Sequence, residues 1–308
     1  MTTRRPIRLL VNPVAGGKIG SKPDLSDDPD RLEPDALADA LRRRGLQVDL
    51  HVLAETDDVE RLAADAVRDG ADVVVVGGDG TVSLAASGVV GSDATLGILA
   101  RGSYNNVAHG FGVPLSLDAA LEAISRGEAR AMDVGVASRS GDAESALFFE
   151  AAGVGLDAAG FGAVQLGERH GWWRGGRALL RTLRQRRRAM AVTVDGHVYR
   201  THAPAVTVCN GPYLGMGFAL AADADPTDGL LEVVVFAGMS RWEVLRHFAR
   251  VARGARWHEP RIRMLQGRKV SIQALRGTLP AHADGTSIGV TPVSFSVRPG
   301  ALRVFRRG

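Results

Sequence analysis

The first 130 residues alternate between short apolar runs and segments with helical spacing, and this order constrains the fold more than any other feature. Ile7–Val11 and Val73–Val76 are continuous apolar runs of strand length. In Asp35–Arg44 and Leu117–Arg126, apolar residues recur at the spacing of one helical face. Strands that alternate with helices predict a doubly wound α/β domain built on a parallel sheet. Such sheets bind ligands beyond the carboxyl ends of their strands.

The other elements of this half are predicted in the same way. The strands lie at Leu46–Leu53 and Thr95–Leu99, and the helices at Val59–Asp69, Val82–Val90 and Asn106–Phe111.

Beyond about Asp133 the strand signals dominate. Asp195-Gly196 between two alternating runs predicts a hairpin. Two helices are predicted, near Arg177–Arg188 and Arg241–Arg253. The predicted strands are Leu147–Ala152, Met190–Asp195, His197–Thr201, Ala205–Cys209, Leu230–Phe236, Lys269–Ala274, Val293–Val297 and Ala301–Phe305. We therefore expect an α/β domain over residues 1–132 and a mainly antiparallel β-sandwich over 133–308, with residues 298–308 or so returning to the first domain.

Composition narrows the class of protein. The chain has 308 residues, 45% of them hydrophobic and 23% charged, which excludes a disordered, collagenous or multi-span membrane protein. One cysteine, Cys209, excludes a disulfide framework, and its apolar neighbours predict a buried, inert thiol. No run approaches the roughly 20 apolar residues that span a bilayer, so we expect a soluble, cytoplasmic chain.

Three glycine-rich loops follow predicted strands, where backbone N–H groups can approach a phosphate closely. They are Asn12–Lys18, Gly77–Thr81 and Gly102–Asn106. The first is not a Walker A loop, because Asn12 stands where that pattern needs glycine. The second lacks the last glycine of the dinucleotide pattern. Its aspartate, Asp79, indicates either a cation bound with the nucleotide or a carboxylate that orients the loop.

Two acidic motifs lie in the second half. Asp225 and Asp228 stand three apart before a strand, where oxygen ligands suit a hard cation, although an ordinary Asp-rich turn is the better explanation of the motif taken by itself. Asp284, in His282-Ala283-Asp284-Gly285, is a candidate general base. Gly285–Gly289 matches the nucleophile elbow of hydrolases, but residues 290–308 contain no histidine and no acid, which excludes that enzyme class.

A second decoy is Gly153–Ala158, which matches a dinucleotide-binding fingerprint. No acidic residue lies about 20 positions on, and the surroundings are not strand–helix–strand. We therefore do not assign a dinucleotide to this segment.

Charge is concentrated in one segment. The formal net charge is +4, yet residues 169–188 carry eight arginines and no acid, so the rest of the chain sums to 4 − 8 = −4. Arg177, Arg181, Arg184 and Arg188 are predicted to share a helical face, with Trp172 and Trp173 just before it. An anionic membrane surface suits this pattern best. A solvated helix face and a nucleic-acid surface are the alternatives, and no nucleic-acid motif accompanies it.

Taken in order, these segments resemble the diacylglycerol kinase catalytic family, in its bacterial soluble lipid kinase branch, which is related to the sphingosine kinases. Gly77-Gly78-Asp79-Gly80-Thr81 resembles the most specific motif of the family. The other matching segments are Asn12-Pro13 to Lys18, Gly102 to Asn106, Asn210-Gly211 to Gly217, Asp225 to Leu230, Ala283-Asp284-Gly285, and Thr291-Pro292 to Leu302.

The resemblance implies an ATP-dependent kinase that phosphorylates a lipid hydroxyl, diacylglycerol or a related lipid. It implies that Asp284 acts in general-base catalysis, and that Asp225, Asp228 and the carbonyl of Leu230 hold a structural magnesium. A second magnesium would accompany ATP. The implied ATP-binding residues are Asn12, Pro13, Val14, Ala15, Gly16, Gly77, Gly78, Asp79, Gly80, Thr81, Val82, Ser83 and Ser103.

The sequence departs from the family pattern at a few positions. Thr286 stands where many relatives carry Glu, Tyr104 replaces a small residue, and residues 19–34 form a long insertion. The alternatives are therefore a kinase acting on NAD, which shares the Gly-Gly-Asp-Gly-Thr loop, and a membrane-surface lipid-binding protein with reduced catalysis. We expect a cytoplasmic protein held at the inner face of the membrane through Arg169–Arg188, with no nucleic-acid partner. A homodimer is left open.

Overall fold

The computed structural model describes residues 4–15, 33–139, 145–156, 188–215, 217–251 and 260–306. The chain divides into two compact units, Met1–Met132 with Gly300–Gly308, and Asp133–Pro299. In the first unit the strands are β1 (Ile7–Val11), β2 (Val48–Val52), β3 (Asp72–Gly77) and β4 (Thr95–Ala100). The helices are α1 (Pro34–Arg42), α2 (Val59–Arg68), α3 (Asp79–Val89), α4 (Asn106–Gly110) and α5 (Leu117–Arg126).

The first unit is an α/β domain on a parallel sheet, as predicted. The strand order is β2-β1-β3-β4, and every pair is parallel. Leu9 and Val74 belong to the core cluster that α1 and α5 cover with Leu41 and Leu121. Because side chains alternate along a strand, the fully buried Val73 and Val75 face the other side, where α2 and α3 pack on β3. Helices on both faces confirm the doubly wound arrangement.

The second unit consists of β5 (Ala129–Arg139, which begins in the first unit) and the strands that follow it. These are β6 (Ser145–Phe148), β7 (Ala151–Gly155), β8 (Arg188–Val194), β9 (His197–Ala203), β10 (Ala205–Cys209), β11 (Tyr213–Leu214), β12 (Phe218–Ala219), β13 (Leu231–Phe236), β14 (Ile262–Gly267), β15 (Lys269–Ala274), β16 (Pro280–Ala283), β17 (Thr286–Val290) and β18 (Val293–Phe305). Among the residues described in this unit, one segment is helical, α6 (Arg241–Val251), which precedes β14.

Two antiparallel sheets make this unit a β-sandwich, in agreement with the sequence prediction. One sheet has the order β14-β13-β10-β7-β16-β17, and the other contains the antiparallel neighbours β18-β15-β8-β9. Apolar side chains from both sheets form a single cluster, with Val206 and Val233 from the first and Ile272 from the second. Phe148 and Phe295 meet edge to face within it, with ring centroids 6.2 Å apart.

Four sequence predictions need correction. The single strand expected over Leu147–Ala152 is two strands, β6 and β7, which pair with different partners and are separated at Phe149-Glu150. Conversely, the two strands expected over 293–305 are one 13-residue strand, β18. Its first residues pair with β15 in the second unit, and Arg303 and Val304 pair with β4 in the first. Several short strands of the sandwich, including β14, β16 and β17, were not predicted.

The other two corrections concern helices. The helix expected from Val82 begins at Asp79, because Gly78 in extended conformation acts as its N-cap. Arg188 is the first residue of β8 and pairs with Ala203, so it does not share a helical face with Arg177, Arg181 and Arg184. Those three arginines, and the rest of the predicted cationic segment from Arg169, lie outside the described residues.

Candidate functional site

Two glycines bring the loops after β3 and β4 into direct contact at the carboxyl edge of the parallel sheet. A Cβ built on Gly102 would lie 2.6 Å from the Gly78 Cα, and one on Gly78 would lie 3.1 Å from the Gly102 Cα. The Arg101 N–H donates to the Gly77 carbonyl at 2.8 Å and joins the same loops. Only glycine permits this approach, which explains why both loops are glycine-rich.

Asn105 fixes the shape of the second loop. Its Oδ1 accepts from the Gly102 N–H at 2.7 Å, and its Nδ2 donates to the Gly102 carbonyl at 3.0 Å. Asn105 itself has φ 53° and ψ 41°, in the left-handed region where asparagine is one of the few tolerated side chains. The Asn105 side chain and the Gly102 backbone therefore form a small hydrogen-bonded ring, which holds Gly102 against Gly78.

Asp79 orients a neighbouring helix. Its Oδ1 accepts the Val107 N–H in the first turn of α4, at 3.0 Å. Of the two roles that the sequence suggested for this carboxylate, the structure therefore supports the orienting one directly. Asp79 is also the first residue of α3, so its charge lies at the positive end of that helix.

Asn12 joins the loop after β1 to the same helix. Its Nδ2 donates to the Thr81 Oγ1 at 2.9 Å, and its Oδ1 accepts the Val14 N–H at 3.1 Å. Gly77 is required here as well, because a Cβ on it would lie 2.7 Å from the Thr81 Cβ. One asparagine thus sets both its own turn and the first turn of α3.

The structure brings most of the predicted ATP-binding residues together around the start of α3. No side chain caps the first turn of this 11-residue helix within the described residues, so its N–H groups suit an anion. Val82 is buried, so it can contribute only its backbone, whereas Ser103 is exposed and Ser83 is half-buried. Pro13 and Ala15 lie in the turn that Asn12 shapes, and Gly16 lies outside the described residues.

Asp284 occupies a second site, in the β-sandwich. Asp284-Gly285 forms the two-residue turn between β16 and β17, with φ 42° and 75°. The Asp284 Oδ2 accepts the Phe149 N–H at 2.7 Å, and its Oδ1 accepts the N–H groups of Glu150 and Ala151 at 3.0 and 3.1 Å. The carboxylate thus fills the break between β6 and β7 that the sequence prediction missed.

Burial is the main influence on this carboxyl group. It raises the pKa of Asp284 from 3.8 to about 6, against the three N–H donors, which lower it. Asp195 forms the other Asp-Gly turn of the sandwich, with φ 47°, and accepts the N–H groups of Arg268 and Lys269. Because Asp195 is exposed, those hydrogen bonds lower its pKa. The two aspartates have similar geometry and opposite electrostatics, so Asp284 is the one suited to proton transfer near neutral pH.

Asn210 holds the other side of the peptide segment that binds Asp284. Its Nδ2 donates to the Phe149 carbonyl at 3.2 Å and to the Asp133 carbonyl at 3.0 Å, and its backbone N–H donates to the Glu150 carbonyl at 2.9 Å. The side chain is buried, and its Oδ1 has no hydrogen-bond partner among the described residues. The sequence marked Asn210 only as part of a motif, and its one further signal was a polar residue directly after the apolar strand β10.

The predicted magnesium ligands lie in an exposed loop. The Asp225 Oδ1 accepts from the Thr227 N–H and hydroxyl, and the Asp228 Oδ1 accepts the Leu230 N–H at 2.8 Å. No hydrogen bond to the second oxygen of either carboxylate occurs within the described residues. The described part of the chain contains no group of three His, Cys, Asp or Glu side chains placed to hold a metal. Two carboxylates and a carbonyl are nevertheless an all-oxygen set, which suits magnesium with water completing its shell.

Asp133 anchors this loop and was missed as a functional residue. It is buried, its Oδ2 accepts the Gly229 N–H at 2.6 Å, and its backbone N–H donates to the Pro226 carbonyl at 2.7 Å. The signal for it was an acid in the otherwise apolar centre of β5.

The hydrolase-like and dinucleotide-like motifs, which the sequence analysis did not assign to a function, lie in strands. Ser287 lies on strand β17 rather than before a helix, and Gly153–Gly155 are in strand β7. Cys209 is a buried thiol in β10, as predicted. None of the helices in the described ranges is both long and apolar enough to cross a bilayer.

Comparison with known proteins places both halves of the chain in described families. Residues 6–137 match the diacylglycerol kinase catalytic domain, and residues 153–306 match the YegS C-terminal NAD kinase beta sandwich-like domain. A diacylglycerol kinase of Mycobacterium tuberculosis is 30% identical over 271 residues, which cover 86% of this chain and 87% of that protein. The crystal structure of a diacylglycerol kinase from Bacillus anthracis has the same fold, with a TM-score of 0.72 and 21% identity over 100% of this chain and 98% of that one.

Proposed function

Because the chain belongs to the diacylglycerol kinase catalytic family, we propose that it transfers the γ-phosphoryl group of ATP to the hydroxyl of diacylglycerol or a related lipid. Family membership makes the protein a lipid kinase. The donor, the base and the metal are our proposal, as is the division into an ATP-binding domain over 1–132 and a lipid-binding domain over 133–308. The observation that carries the proposal is the pair of fitted loops, Gly78 and Gly102, in front of the N-terminus of α3.

ATP phosphates are the ligand that this edge of the sheet fits best. The first N–H groups of α3 and the positive end of its dipole favour an anion. The Gly78–Gly102 contact keeps both loops free of side chains where the phosphates would approach, and Asn12 and Asp79 hold α3 and α4 in place. A fixed set of N–H donors stabilises the charge of a transferring phosphoryl group without reorganisation, which lowers the barrier to transfer.

Asp284 is the residue that we assign to take the proton of the lipid hydroxyl. A carboxylate has about four lone-pair sites, and the three backbone donors occupy one on Oδ2 and two on Oδ1. Within the part of the chain that the structure describes, no further donor reaches Oδ2, so one site on this oxygen is left for a substrate hydroxyl. A pKa of about 6 leaves the group ionised at neutral pH yet close enough to that pH to be an effective base.

The pH dependence of catalysis tests this assignment. The base acts only when ionised, so kcat/KM should rise with pH through an apparent pKa near 6 and level off above it. A soluble short-chain diacylglycerol, assayed between pH 4.5 and 8.5 after checking that the protein stays folded, gives the profile. A profile that is flat between pH 5 and 7 would contradict the role of Asp284.

Magnesium is assigned to two places. Bound to ATP, it offsets phosphate charge, and bound by Asp225, Asp228 and the Leu230 carbonyl, it would stabilise the loop that Asp133 anchors. Asn in place of Asp228 keeps the oxygen that accepts the Leu230 N–H but removes the charge. We therefore expect magnesium to raise the unfolding temperature of the wild-type protein and to have little effect on Asp228→Asn.

The control for this experiment is Asp223→Asn, which changes an exposed acid outside the proposed ligand set. It should respond to magnesium as the wild type does. If magnesium shifts the unfolding temperature of all three proteins equally, the assignment of a magnesium ion to this loop is wrong.

A lipid panel tests the proposed function as a whole. Each reaction contains ATP, magnesium and one acceptor, which is diacylglycerol, another lipid alcohol or NAD. The products are identified by mass. NAD is included because the second half of the chain matches a NAD kinase beta sandwich-like domain. Phosphorylated lipid supports the proposal. Phosphorylated NAD without phosphorylated lipid would favour a kinase acting on NAD instead. Lipid binding without phosphate transfer would favour a lipid-binding protein with reduced catalysis.

Membrane association completes the proposal. Residues 169–188, with eight arginines, are our candidate for contact with the inner face of the membrane, on sequence grounds alone.

A further inference from the structure

Asn210 and Asp284 lie on opposite sides of the same stretch of backbone. Strand β7 pairs with β10 along one edge and with β16 along the other. Asn210 directly follows β10, and Asp284 directly follows β16. The two residues therefore flank Phe149 and Glu150, which lead into β7.

Two consecutive peptide groups of this stretch are each held from both sides. In the first group, the Glu150 N–H donates to the Asp284 Oδ1 at 3.0 Å. The carbonyl of the same group, on Phe149, accepts from the Asn210 Nδ2 at 3.2 Å. In the second group, the Ala151 N–H donates to the same Oδ1 at 3.1 Å, and the Glu150 carbonyl accepts the Asn210 backbone N–H at 2.9 Å. Because the N–H and C=O of a trans peptide group point in opposite directions, a donor that holds the carbonyl also aims the N–H at the carboxylate.

The Asn210 side chain is buried and fixed by its own contacts. Its Nδ2 also donates to the Asp133 carbonyl at 3.0 Å. Asp133 is itself held, because its N–H donates to the Pro226 carbonyl at 2.7 Å. The orientation of the Asn210 amide follows, since a reversed amide would set its Oδ1 against two carbonyl oxygens.

We propose that Asn210 is a positioning residue for proton transfer, whose side chain aims the Glu150 N–H at Asp284 and so fixes the carboxylate that receives the proton. The hydrogen bond to the Phe149 carbonyl also polarises the peptide group, which strengthens its N–H as a donor. The proposal rests on the proposed function in that Asp284 is taken as the base. Asn210 acts through the peptide group and not on the substrate.

The position of this peptide group has a measurable electrostatic consequence. Burial raises the pKa of Asp284, and the three backbone N–H donors and the charge of His282 lower that pKa. Without the Asn210 side chain, the Glu150 N–H would turn away from the carboxylate. The ionised form would then lose a donor, so the pKa of Asp284 would rise. The titratable side chains on the neighbouring segments stay the same in an Asn210 variant, and they are His282, Glu150, Cys209, Asp133 and Arg139.

NMR of isotopically labelled aspartate carboxyl groups measures this pKa directly. The Asp284 resonance is the one missing from Asp284→Asn. In Asn210→Leu, which keeps the approximate volume of the side chain, and in Asn210→Ala, the pKa of Asp284 should rise from about 6 to about 6.5–7. Both variants keep the backbone N–H that binds the Glu150 carbonyl, so the sandwich should still fold. A wild-type pKa of Asp284 in the folded variants would overturn the proposal.

Thr291→Val is the matched control. Thr291 is buried in the same unit, and its Oγ1 accepts the Leu279 N–H at 3.0 Å. Valine keeps the shape and removes that bond, so this variant should unfold at a lower temperature while the pKa of Asp284 stays near 6. If the pKa of Asp284 rises equally in Thr291→Val and in the Asn210 variants, it reports only the stability of the unit, and the proposal is wrong.

Kinetics separate a positioning role from a structural one. With a short-chain diacylglycerol at pH 7, kcat should fall roughly 10- to 100-fold in Asn210→Leu, and the KM for ATP should stay at its wild-type value. The midpoint of the pH profile of kcat/KM should rise together with the NMR value. A loss of stability with an unchanged pH profile would make Asn210 a structural residue only. If the wild type phosphorylates no lipid, the proposed function fails, and the NMR titration still decides the role of Asn210.

The wild-type protein offers a test that does not depend on the folding of any Asn210 variant. The resonances of the Asn210 Nδ2 protons should shift with pH at the midpoint of the Asp284 titration, because the peptide group between the two side chains transmits the change in charge. Asp284→Asn should abolish this shift. Asn210 resonances that are insensitive to pH in the wild type would contradict the proposal.

Discussion

Asp284→Asn is expected to lower lipid phosphorylation by about 10²- to 10⁴-fold, the usual contribution of a general base, while the protein stays folded. Asparagine keeps the shape of the side chain and can still accept N–H bonds on its one oxygen. It cannot take a proton from the lipid hydroxyl at neutral pH. The measurement is the steady-state rate of phosphate transfer to a short-chain diacylglycerol, with ATP affinity measured separately.

The stability of this variant follows from two opposing terms. The amide NH₂ group would face one of the three backbone donors, which leaves that donor unsatisfied and costs about 1–3 kcal/mol. Against this, the folded-state pKa of Asp284 lies above its unfolded value of 3.8, so its contribution to stability is greatest at low pH and is lost as pH rises through about 6. Removing the charge therefore relieves the desolvation cost that the ionised carboxylate carries at neutral pH. The two terms oppose each other, so we expect the variant to stay folded, and thermal unfolding at pH 7 measures their difference.

Asp195→Asn is the matched control. Asp195 also begins an Asp-Gly turn with positive φ and also accepts backbone N–H groups, but it is exposed. It should lose some stability and keep its catalytic rate. A second comparison is Thr286→Glu, which places an acid directly after Asp284-Gly285. If Thr286→Glu greatly raises the rate of lipid phosphorylation and Asp284→Asn leaves that rate normal, the general base would be assigned to position 286 instead of Asp284.

Gly102→Ala is expected to lower ATP affinity at least tenfold and to destabilise the first unit by about 1–3 kcal/mol. The new Cβ would lie 2.6 Å from the Gly78 Cα and 2.8 Å from the Asn105 Oδ1, so backbone must move on both sides. That movement would separate the two loops in front of α3. Calorimetric titration with ATP and thermal unfolding measure the two effects.

Gly80→Ala distinguishes damage to the loops from contact with the nucleotide. A Cβ on Gly80 meets nothing within 4 Å, and Gly80 lies in α3, where alanine favours the helix by up to 1 kcal/mol or so. This variant should be at least as stable as the wild type, so any loss of ATP affinity in it arises at the ligand.

Wild-type ATP affinity in Gly102→Ala would contradict the assignment of these loops to phosphate binding.

The sequence predicts the first unit well because its signals are local. The apolar run Val73–Val76 and the helical spacing of Leu117–Arg126 each identify an element without reference to any other part of the chain. The glycine loops were located for the same reason. Their contact was not predicted, because whether Gly78 meets Gly102 depends on the spacing of β3 and β4 rather than on either loop.

The second unit is harder to predict because its important contacts are distant in sequence. The carboxylate of Asp284 binds backbone groups 133 to 135 residues earlier, at a break that apolar residues on both sides conceal. Phe148 faces the sandwich core, and Phe149-Glu150 leave the strand so that their N–H groups can reach Asp284. Apolar pattern alone cannot distinguish such a break from a continuous strand. Arg188 was likewise assigned to a helix by spacing, although pairing with Ala203 places it in β8.

We propose above all that this chain moves a phosphoryl group from ATP to a lipid alcohol. The most direct measurement follows the γ-phosphate of isotopically labelled ATP into product, with diacylglycerol in anionic vesicles and with NAD in parallel. We expect label in phosphatidic acid, none in NADP, and a loss of at least a hundredfold in Asp284→Asn. Label in NADP with none in any lipid, or label in lipid that Asp284→Asn leaves undiminished, would contradict it.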